Sequence, residues 1–487
     1  MKMRVFTATI CFAITAAYAT GARAQTERQP WLGDRRFGGG IGIRTGDLEL
    51  HPGVAGEVGY DTNFFQSANK VTPDNELVLI PLEFRPVAPD GTVYGDTGTF
   101  NEPRVGTFRF RVTPSLTLNT LGAQRTESNA DGAVPPKFNL QATLSASYNE
   151  LIATDSQYAD DVAENRFISG DVSVAVDILP QRPWGLGLNA QYNRSVQPVN
   201  DPAAPPGFQR STFRGGAAVK WRPGGGLLEW SLGYDLTYIL FEDDIFSNFS
   251  SLGHTVALRG RWLFLPRTAL LYAGEYGFLV YPDGEDIKPP GSPLSSQVGV
   301  NGLITNHLGA MVMAGWKTLF FERNEEFDSV IGNAELSWYP LPRPDLAPEA
   351  AGVGLSAISI GYRRDARPAY LGNYVQIDSG YAKASYFFGG SLLVSVDAAL
   401  EHLRRPQSFF SDGTRQTGAF AEDRVTATGF AEYRTSDTFG INTTLRYTGS
   451  ITDQRIPVDN EVGNPRLPYD DFSFNRIEAW IGVRWFL

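Results

Sequence analysis

The 487-residue chain sets 42 Lys and Arg against 53 Asp and Glu, a formal net charge of −11, which argues against a nucleic-acid partner, because such proteins carry a basic stripe. Its one cysteine, Cys11, falls in a leader segment, so the remaining chain has no thiol for a disulfide, a metal site or a nucleophile. Gly (51), Phe (31) and Tyr (20) are plentiful, Met (4) and His (4) are scarce, and no P-loop, dinucleotide fingerprint or metal-ligand cluster appears, so no cofactor or metal is expected.

Lys2 and Arg4 precede an apolar run over residues 5–19, and Ala22-Arg23-Ala24 supplies small residues two apart. This reads as a secretory signal peptide over residues 1–24, too short for a bilayer span of about 20 apolar residues. Residues 25–50 are expected to form a periplasmic N-terminal segment, and residues 51–487 a barrel. Mean hydropathy is −0.20, which looks soluble. A transmembrane barrel hides from hydropathy in this way, because each strand is apolar only at every second residue.

From about residue 54 onward, segments alternate polar with apolar residues. The clearest is Phe138-Asn139-Leu140-Gln141-Ala142-Thr143-Leu144-Ser145-Ala146-Ser147-Tyr148, apolar at even positions and uncharged polar at odd ones. Leu228, Trp230, Leu232, Tyr234, Leu236, Tyr238 and Leu240 make a second such face, opposite Glu229, Ser231, Asp235 and Thr237. Strands are expected to start near residues 54, 107, 138, 167, 184, 212, 227, 252, 268, 296, 307, 329, 355, 374, 391, 424, 439 and 474. That makes an all-β, antiparallel transmembrane β-barrel of about eighteen strands. Near Tyr374 the alternation breaks at Lys383, where a bulge is expected. Residues 77–84 form an extra candidate strand.

Connector lengths agree with this topology. Connectors after even-numbered strands are short, as at 179–183, 264–267, 389–390 and 435–438, which suits periplasmic turns. Those after odd-numbered strands are long, as at 65–106, 197–210, 281–294, 404–423 and 451–473, which suits outer loops. Connectors 122–137 and 339–354 break the rule. Trp184, Trp221, Trp230, Trp262, Trp338 and Trp485 fall at the expected periplasmic ends, and Tyr60, Tyr148, Tyr238 and Tyr276 near the outer ends, as interfacial girdles require. A soluble sandwich or propeller also has short alternating strands, but explains neither the loop rhythm nor the tryptophans.

Polar faces should point inward. Arg109, Arg111, Arg214, Lys220, Asp235, Arg259, Arg261, Glu275, Lys317, Glu335, Asp397, Arg446, Glu478 and Arg484 are the candidate selectivity lining, with Glu57, Asp61, Asp171, Asp177, Glu229 and Glu401 beside them. Arg109 with Arg111, and Arg259 with Arg261, are the candidates for a cationic patch that steers anions. The plainer reading is a solvated wall with internal ion pairs. Acidic runs at 241–244, 283–286 and 322–328 would rim the outer mouth, residues 201–207 and 288–293 would be stiff Pro/Gly-rich loops, and 65–106 could fold inward as a constriction.

In the last twelve residues, Ile477, Ala479, Ile481, Val483, Trp485 and Leu487 alternate with Arg476, Glu478, Gly482 and Arg484, with Trp480 and Phe486 among the latter. This resembles the C-terminal insertion strand of outer-membrane barrels, which implies an assembly signal at Ile481, Val483, Trp485, Phe486 and Leu487 read by the barrel assembly machinery. Upstream, Gly46-Asp47-Leu48-Glu49-Leu50-His51-Pro52-Gly53 runs into a strand ending Tyr60-Asp61-Thr62-Asn63-Phe64-Phe65. It is similar to the opening of the β-barrel porin 2 group, where an apolar-His-Pro element leads to Tyr-Asp-x-Asn-aromatic. That resemblance implies an outer-membrane barrel. In some members it implies exopolysaccharide or capsule export beside a periplasmic polysaccharide-export protein.

The expected function is therefore a passive outer-membrane channel for hydrophilic solutes, in contact with lipid and lipopolysaccharide. The specific form favoured is a polysaccharide export porin. A general or substrate-specific diffusion porin, and a structural or adhesive barrel, are the alternatives. An enzyme is not expected: His254 and His402 would face lipid about seven strands apart, too far to share a nucleophile.

Overall fold

A strand that alternates apolar and polar residues can satisfy every backbone group inside a membrane only if its sheet closes on itself. The computed structural model describes residues 42–66, 78–79, 97–100, 104–120, 137–180, 182–197, 208–242, 244–284, 288–323, 325–340, 356–369, 372–388, 391–409, 415–417, 419–452, 455–457, 467–471 and 473–487. Its wall is built of β1 (Leu48–Asp61), β2 (Thr107–Thr120), β3 (Phe138–Ala153), β4 (Phe167–Ile178), β5 (Trp184–Gln197) and β6 (Phe208–Trp221). It continues with β7 (Leu228–Phe241), β8 (Ser251–Leu265), β9 (Thr268–Val280), β10 (Gly291–Thr305), β11 (Leu308–Phe321) and β12 (Phe327–Trp338). The last six are β13 (Ala357–Pro368), β14 (Tyr374–Phe388), β15 (Leu392–Arg405), β16 (Phe420–Ser436), β17 (Phe439–Ile451) and β18 (Phe474–Phe486). Each pairs antiparallel with its sequence neighbour. β18 then pairs with β1 from Gly53↔Phe486 to Asp61↔Glu478, and the barrel is closed.

All eighteen expected strands are present. Several start earlier than the alternation suggested. β1 takes in Leu48–Leu50, which the sequence places before the barrel, and Ile43–Thr45 folds back to pair with it. β10 begins at Gly291, so Ser292 and Pro293 belong to the wall and not to a stiff loop. β14 keeps an unbroken register with both neighbours. The expected bulge at Lys383 is absent because Lys383 lies in the same phase as Val375, Ile377 and Ser379, on the inward face. Register shifts occur instead beside tight turns, at Leu263/Leu265, Leu303/Thr305 and Arg434/Ser436, where one extra residue lets a twisted pair turn sharply.

Pro114 shows how a proline is accommodated in the wall. It has no N–H to give, and the β2–β3 ladder skips from Val112↔Tyr148 to Ser115↔Ser145. Thr113 Oγ1 and Ser147 Oγ bridge the gap at 2.7 Å. Val78–Leu79 is not a wall strand. It joins Thr97–Phe100, Leu467–Asp471 and Arg455–Pro457 in a small separate sheet that links the β1–β2 and β17–β18 loops. The expected leader (1–24), most of segment 25–50, most of connectors 122–137 and 339–354, and the loop 201–207 lie outside the described residues.

Burial alternates with period two. Along β18 every even residue from Phe474 to Phe486 is buried and every odd one exposed. The exposed phase carries Val54, Phe110, Leu144, Leu232, Val298, Val312, Ile360, Leu400, Leu445 and Ile481, an apolar belt around the outside. Trp184, Trp262, Trp338 and Trp485 are exposed at one rim, and Tyr60, Tyr148 and Tyr276 toward the other.

Candidate functional site

The inner wall is the candidate site, and its charges are concentrated where the sheet closes. Asp61 on β1, Arg109 on β2, and Arg476 and Glu478 on β18 are each 2% exposed or less. Arg476 grips Asp61 with Nε at 3.1 and 3.0 Å from the two carboxylate oxygens and Nη2 at 2.6 Å, and meets Glu478 at 3.2 Å. Arg109 Nη1 reaches Glu478 at 3.0 Å and Asp61 at 3.5 Å, and Arg446 approaches Glu478 from β17 at 3.5 Å. Arg111 pairs with Glu57 at 2.8 Å. Charges this deep persist only when paired and hydrogen-bonded.

The Asp61-Thr62-Asn63-Phe64 stretch belongs to the same knot. The Asn63 amide donates to Asp61 Oδ1 (3.0 Å), its side-chain amide donates to the Asn475 carbonyl (3.1 Å), and the Ile477 amide donates to Thr62 Oγ1 (2.9 Å). The first and last strands are thus tied together just above their ladder. Trp480 lies flat across Gly59, where a Cβ would sit 2.4 Å from the ring. The guanidinium carbons of Arg109 and Arg111 are 5.0 and 4.1 Å from the centre of that ring, a doubly cation-faced indole. Phe486 turns inward too, under Arg484 (4.4 Å) and Arg434 (5.3 Å). The outward stripe of the last strand is therefore Ile477, Ala479, Ile481, Val483 and Trp485.

Further pairs extend this arc. Arg484 binds Glu432 at 2.6 Å and Arg434 binds it at 3.1 Å. Arg405 and Arg424 both bind Glu422 at 3.1 Å, with Ser450 Oγ donating at 2.9 Å. Arg405, Glu422, Arg424, Glu432, Arg434 and Arg476 were not singled out from sequence, although their parity on β15, β16 and β18 marks the inward phase.

Around the rest of the wall the candidates are less deeply covered. Lys220 pairs with Asp177. Arg261 and Arg222 share Glu229 at 3.4 and 3.2 Å, Arg259 meets Glu275 at 3.3 Å, and Lys317 meets Asp365 at 2.9 Å. Tyr381 OH and Ser337 Oγ donate to Glu335 at 2.8 and 3.1 Å. Arg214 and Asp235 are half-buried on β6 and β7. Asp397 is exposed on the inward face of β15, opposite exposed Lys383. The two arginine pairs do not meet: Arg109 and Arg111 are on β2, Arg259 and Arg261 on β8, and each pair has carboxylate partners.

His254 lies on β8 with Nδ1 2.7 Å from Tyr234 OH, and His402 on β15 with Nδ1 2.7 Å from Asp423 Oδ1. His51 and His307 face backbone carbonyls of Leu487 and Tyr339 at 3.1 and 3.0 Å. Among the described residues no group of His, Cys, Asp and Glu is arranged to hold a metal ion.

No family model matches the chain, and no curated protein does. Among solved structures it is similar to Pseudomonas aeruginosa OccK7 (OpdD), at 10% identity and a TM-score of 0.44 over 91% of this chain and 99% of that one. It is likewise similar to P. aeruginosa OpdK crystallised with vanillate, at 10% identity and 0.41 over 90% and 99%. The FrpB iron transporter from Neisseria meningitidis matches at 8% identity and 0.41 over 92% and 82%. At these values the similarity goes no further than a kind of architecture, which the strand ladders establish by themselves. A closed antiparallel barrel with an apolar belt, aromatic rims and an ion-paired interior has one environment that suits it: the chain is a bacterial outer-membrane β-barrel protein.

Proposed function

We propose that the barrel is a passive channel for hydrophilic solutes. The supporting observation is the inner wall, polar along most of its strands, with Asp397 and Lys383 exposed on the inward face and Asp171, Asp177, Arg214, Lys220 and Asp235 half-buried along β4 to β7. A ring of eighteen strands is wide enough to hold water within such a lining. The arc from β16 through β2 is held by buried ion pairs, so its arginines act as wall. The field that a solute meets comes from Asp397, Lys383 and the β4–β7 side chains.

Export of an exopolysaccharide or capsule polymer is carried by the resemblance in residues 46–65 alone, so diffusion of small solutes is the reading the geometry favours. Swelling of liposomes that contain the purified protein, in iso-osmotic small sugars, tests it. Swelling that declines with sugar size supports a diffusion channel. No swelling, together with loss of surface polysaccharide when the gene is deleted, would favour polymer export.

A further inference from the structure

The β12–β13 seam has the shortest ladder in the wall among the described residues. Pairing runs from Trp338↔Ile358 to Gly332↔Arg364 and stops. Yet β12 keeps its partner β11 out to Phe327, and β13 keeps β14 out to Pro368. Residues 327–331 and 365–368 therefore face each other across the seam without a ladder. The Ala366 amide donates to the Asp365 carboxylate at 2.8 Å. Arg364, in outward phase, donates to Ser329 Oγ, in inward phase, at 3.4 Å, a contact between opposite phases made where the ladder has stopped.

Beside the Lys317–Asp365 ion pair, which crosses from β11 to β13 at 2.9 Å, the stretch without a ladder carries an apolar cluster. Leu319, Phe327, Ile331 and Ala366 form one buried cluster with Tyr374 packed on it. Phe327 on β12 meets Tyr374 on β14 edge-on, 5.4 Å between ring centres, and so spans the seam. On the outer side Val330 and Tyr362 belong to the exposed belt.

At the rim, side chains replace the missing ladder. Lys288, from the β9–β10 loop, donates to the carbonyls of Ala369 (2.8 Å) and Gly372 in the β13–β14 loop. Asn373 donates to the carbonyls of Arg323 (2.6 Å) and Glu325 (3.3 Å) in the β11–β12 loop. Both side chains are buried. Opening here breaks no ladder pairing, but it breaks these bonds, the Lys317–Asp365 ion pair, the Arg364–Ser329 bond and the apolar contacts. An acyl chain can replace those apolar contacts, whereas a hydrophilic solute gains nothing from them.

We propose that the outer half of the β12–β13 seam is a lateral port, latched by Lys288 and Asn373, through which a molecule with an acyl chain passes between the lumen and the outer leaflet. The proposal takes the lumen to be a conduit. Its test reads the seam directly, so a closed channel and an absent port are separate outcomes.

The test uses the full chain in phosphatidylethanolamine vesicles containing palmitate with a diazirine on its chain. Irradiation followed by peptide mapping locates the adducts. The port predicts adducts on inward Phe327 or Ile331 as well as on outward Val330 and Tyr362, with inner labelling rising about tenfold in Lys288→Met as the latch weakens. Val330→Cys with Ala366→Cys continues the register across the seam, and the described residues contain no other cysteine. Oxidising that pair should abolish the inner adducts and leave the outer ones, and reductant should restore them. Adducts confined to outward residues in both the native chain and Lys288→Met would overturn the port, whether or not the cysteine pair oxidises. Inner adducts that persist in the oxidised pair would overturn it as well.

Discussion

Replacing Arg476 or Arg109 by Met should cost the barrel several kcal/mol, and by unequal amounts. Both guanidiniums serve the same two carboxylates, Asp61 and Glu478, and all four groups are buried, out of reach of salt screening. Removing one member of a buried pair costs about 3–5 kcal/mol, because the other charge is left unpaired. Arg476→Met strips Asp61 of its two-nitrogen partner and leaves it the Asn63 amide and, as cation, Arg109 at 3.5 Å, so the upper end, about 5 kcal/mol, applies. Arg109→Met leaves both carboxylates with Arg476, and the lower end, about 3 kcal/mol, applies. Adding Asp61→Asn to Arg476→Met should recover part of the loss, since the stranded charge is gone. Urea unfolding of the barrel in vesicles, followed by tryptophan fluorescence and extrapolated linearly, measures these differences. Single variants within about 0.5 kcal/mol of the native chain would refute the reasoning, because that is how exposed, solvated pairs behave.

Gly59→Val should force the Trp480 ring off the wall and away from Arg109 and Arg111, destabilising the barrel by about 1–3 kcal/mol through overpacking; near-ultraviolet circular dichroism and the urea midpoint would register it, and an unchanged midpoint would contradict it. The loop latch should tighten as pH rises. Burial pushes the Lys288 ammonium down to about 7 from an ordinary 10.5, so opening the loop takes up a proton between those values, and the latched form gains stability across that window. Hydrogen exchange at residues 284, 288, 369 and 372, corrected for intrinsic rates, should show protection rising from about pH 7 toward 10, level below pH 7 where both states are charged; falling protection would contradict it. Deleting residues 485–487 removes the Leu487 amide bond to the Pro52 carbonyl (3.0 Å), the Phe486 amide bond to the Thr438 carbonyl (2.9 Å) and the ring under Arg434 and Arg484. Outer-membrane levels should collapse, because a sheet edge that fails to close has no partner in lipid; native levels in membrane fractions would contradict this.

The strands were legible because lipid imposes a strict period of two, and the ladders of β2, β3, β4, β5, β9, β14, β17 and β18 begin at the residues the alternation gave. The periplasmic end of β1 and the outer ends of β6, β10 and β16 were not, since beyond the bilayer nothing forces every second residue to be apolar. Gly53, Pro52 and Pro293 look like loop residues there while pairing as strand. Which charges pair was not legible either. Arg109 with Glu478, Arg484 with Glu432 and Lys220 with Asp177 each reach over one intervening strand, and the stagger that aligns them is a property of the closed sheet. The inward turn of Trp480 and Phe486 was visible as parity, but its cause, Gly59 and a neighbouring set of guanidiniums, is spread over strands far apart in sequence. The links at Lys288 and Asn373 join loops whose composition marks only a turn.

Single-channel recording across a planar bilayer tests the central claim most directly. A water-filled barrel predicts stepwise, ohmic conductance that rises in proportion to salt concentration. Reversal potentials in a salt gradient should shift toward anions in Asp397→Lys, which changes an exposed inward charge. Absence of any conductance step from correctly folded protein would contradict the account.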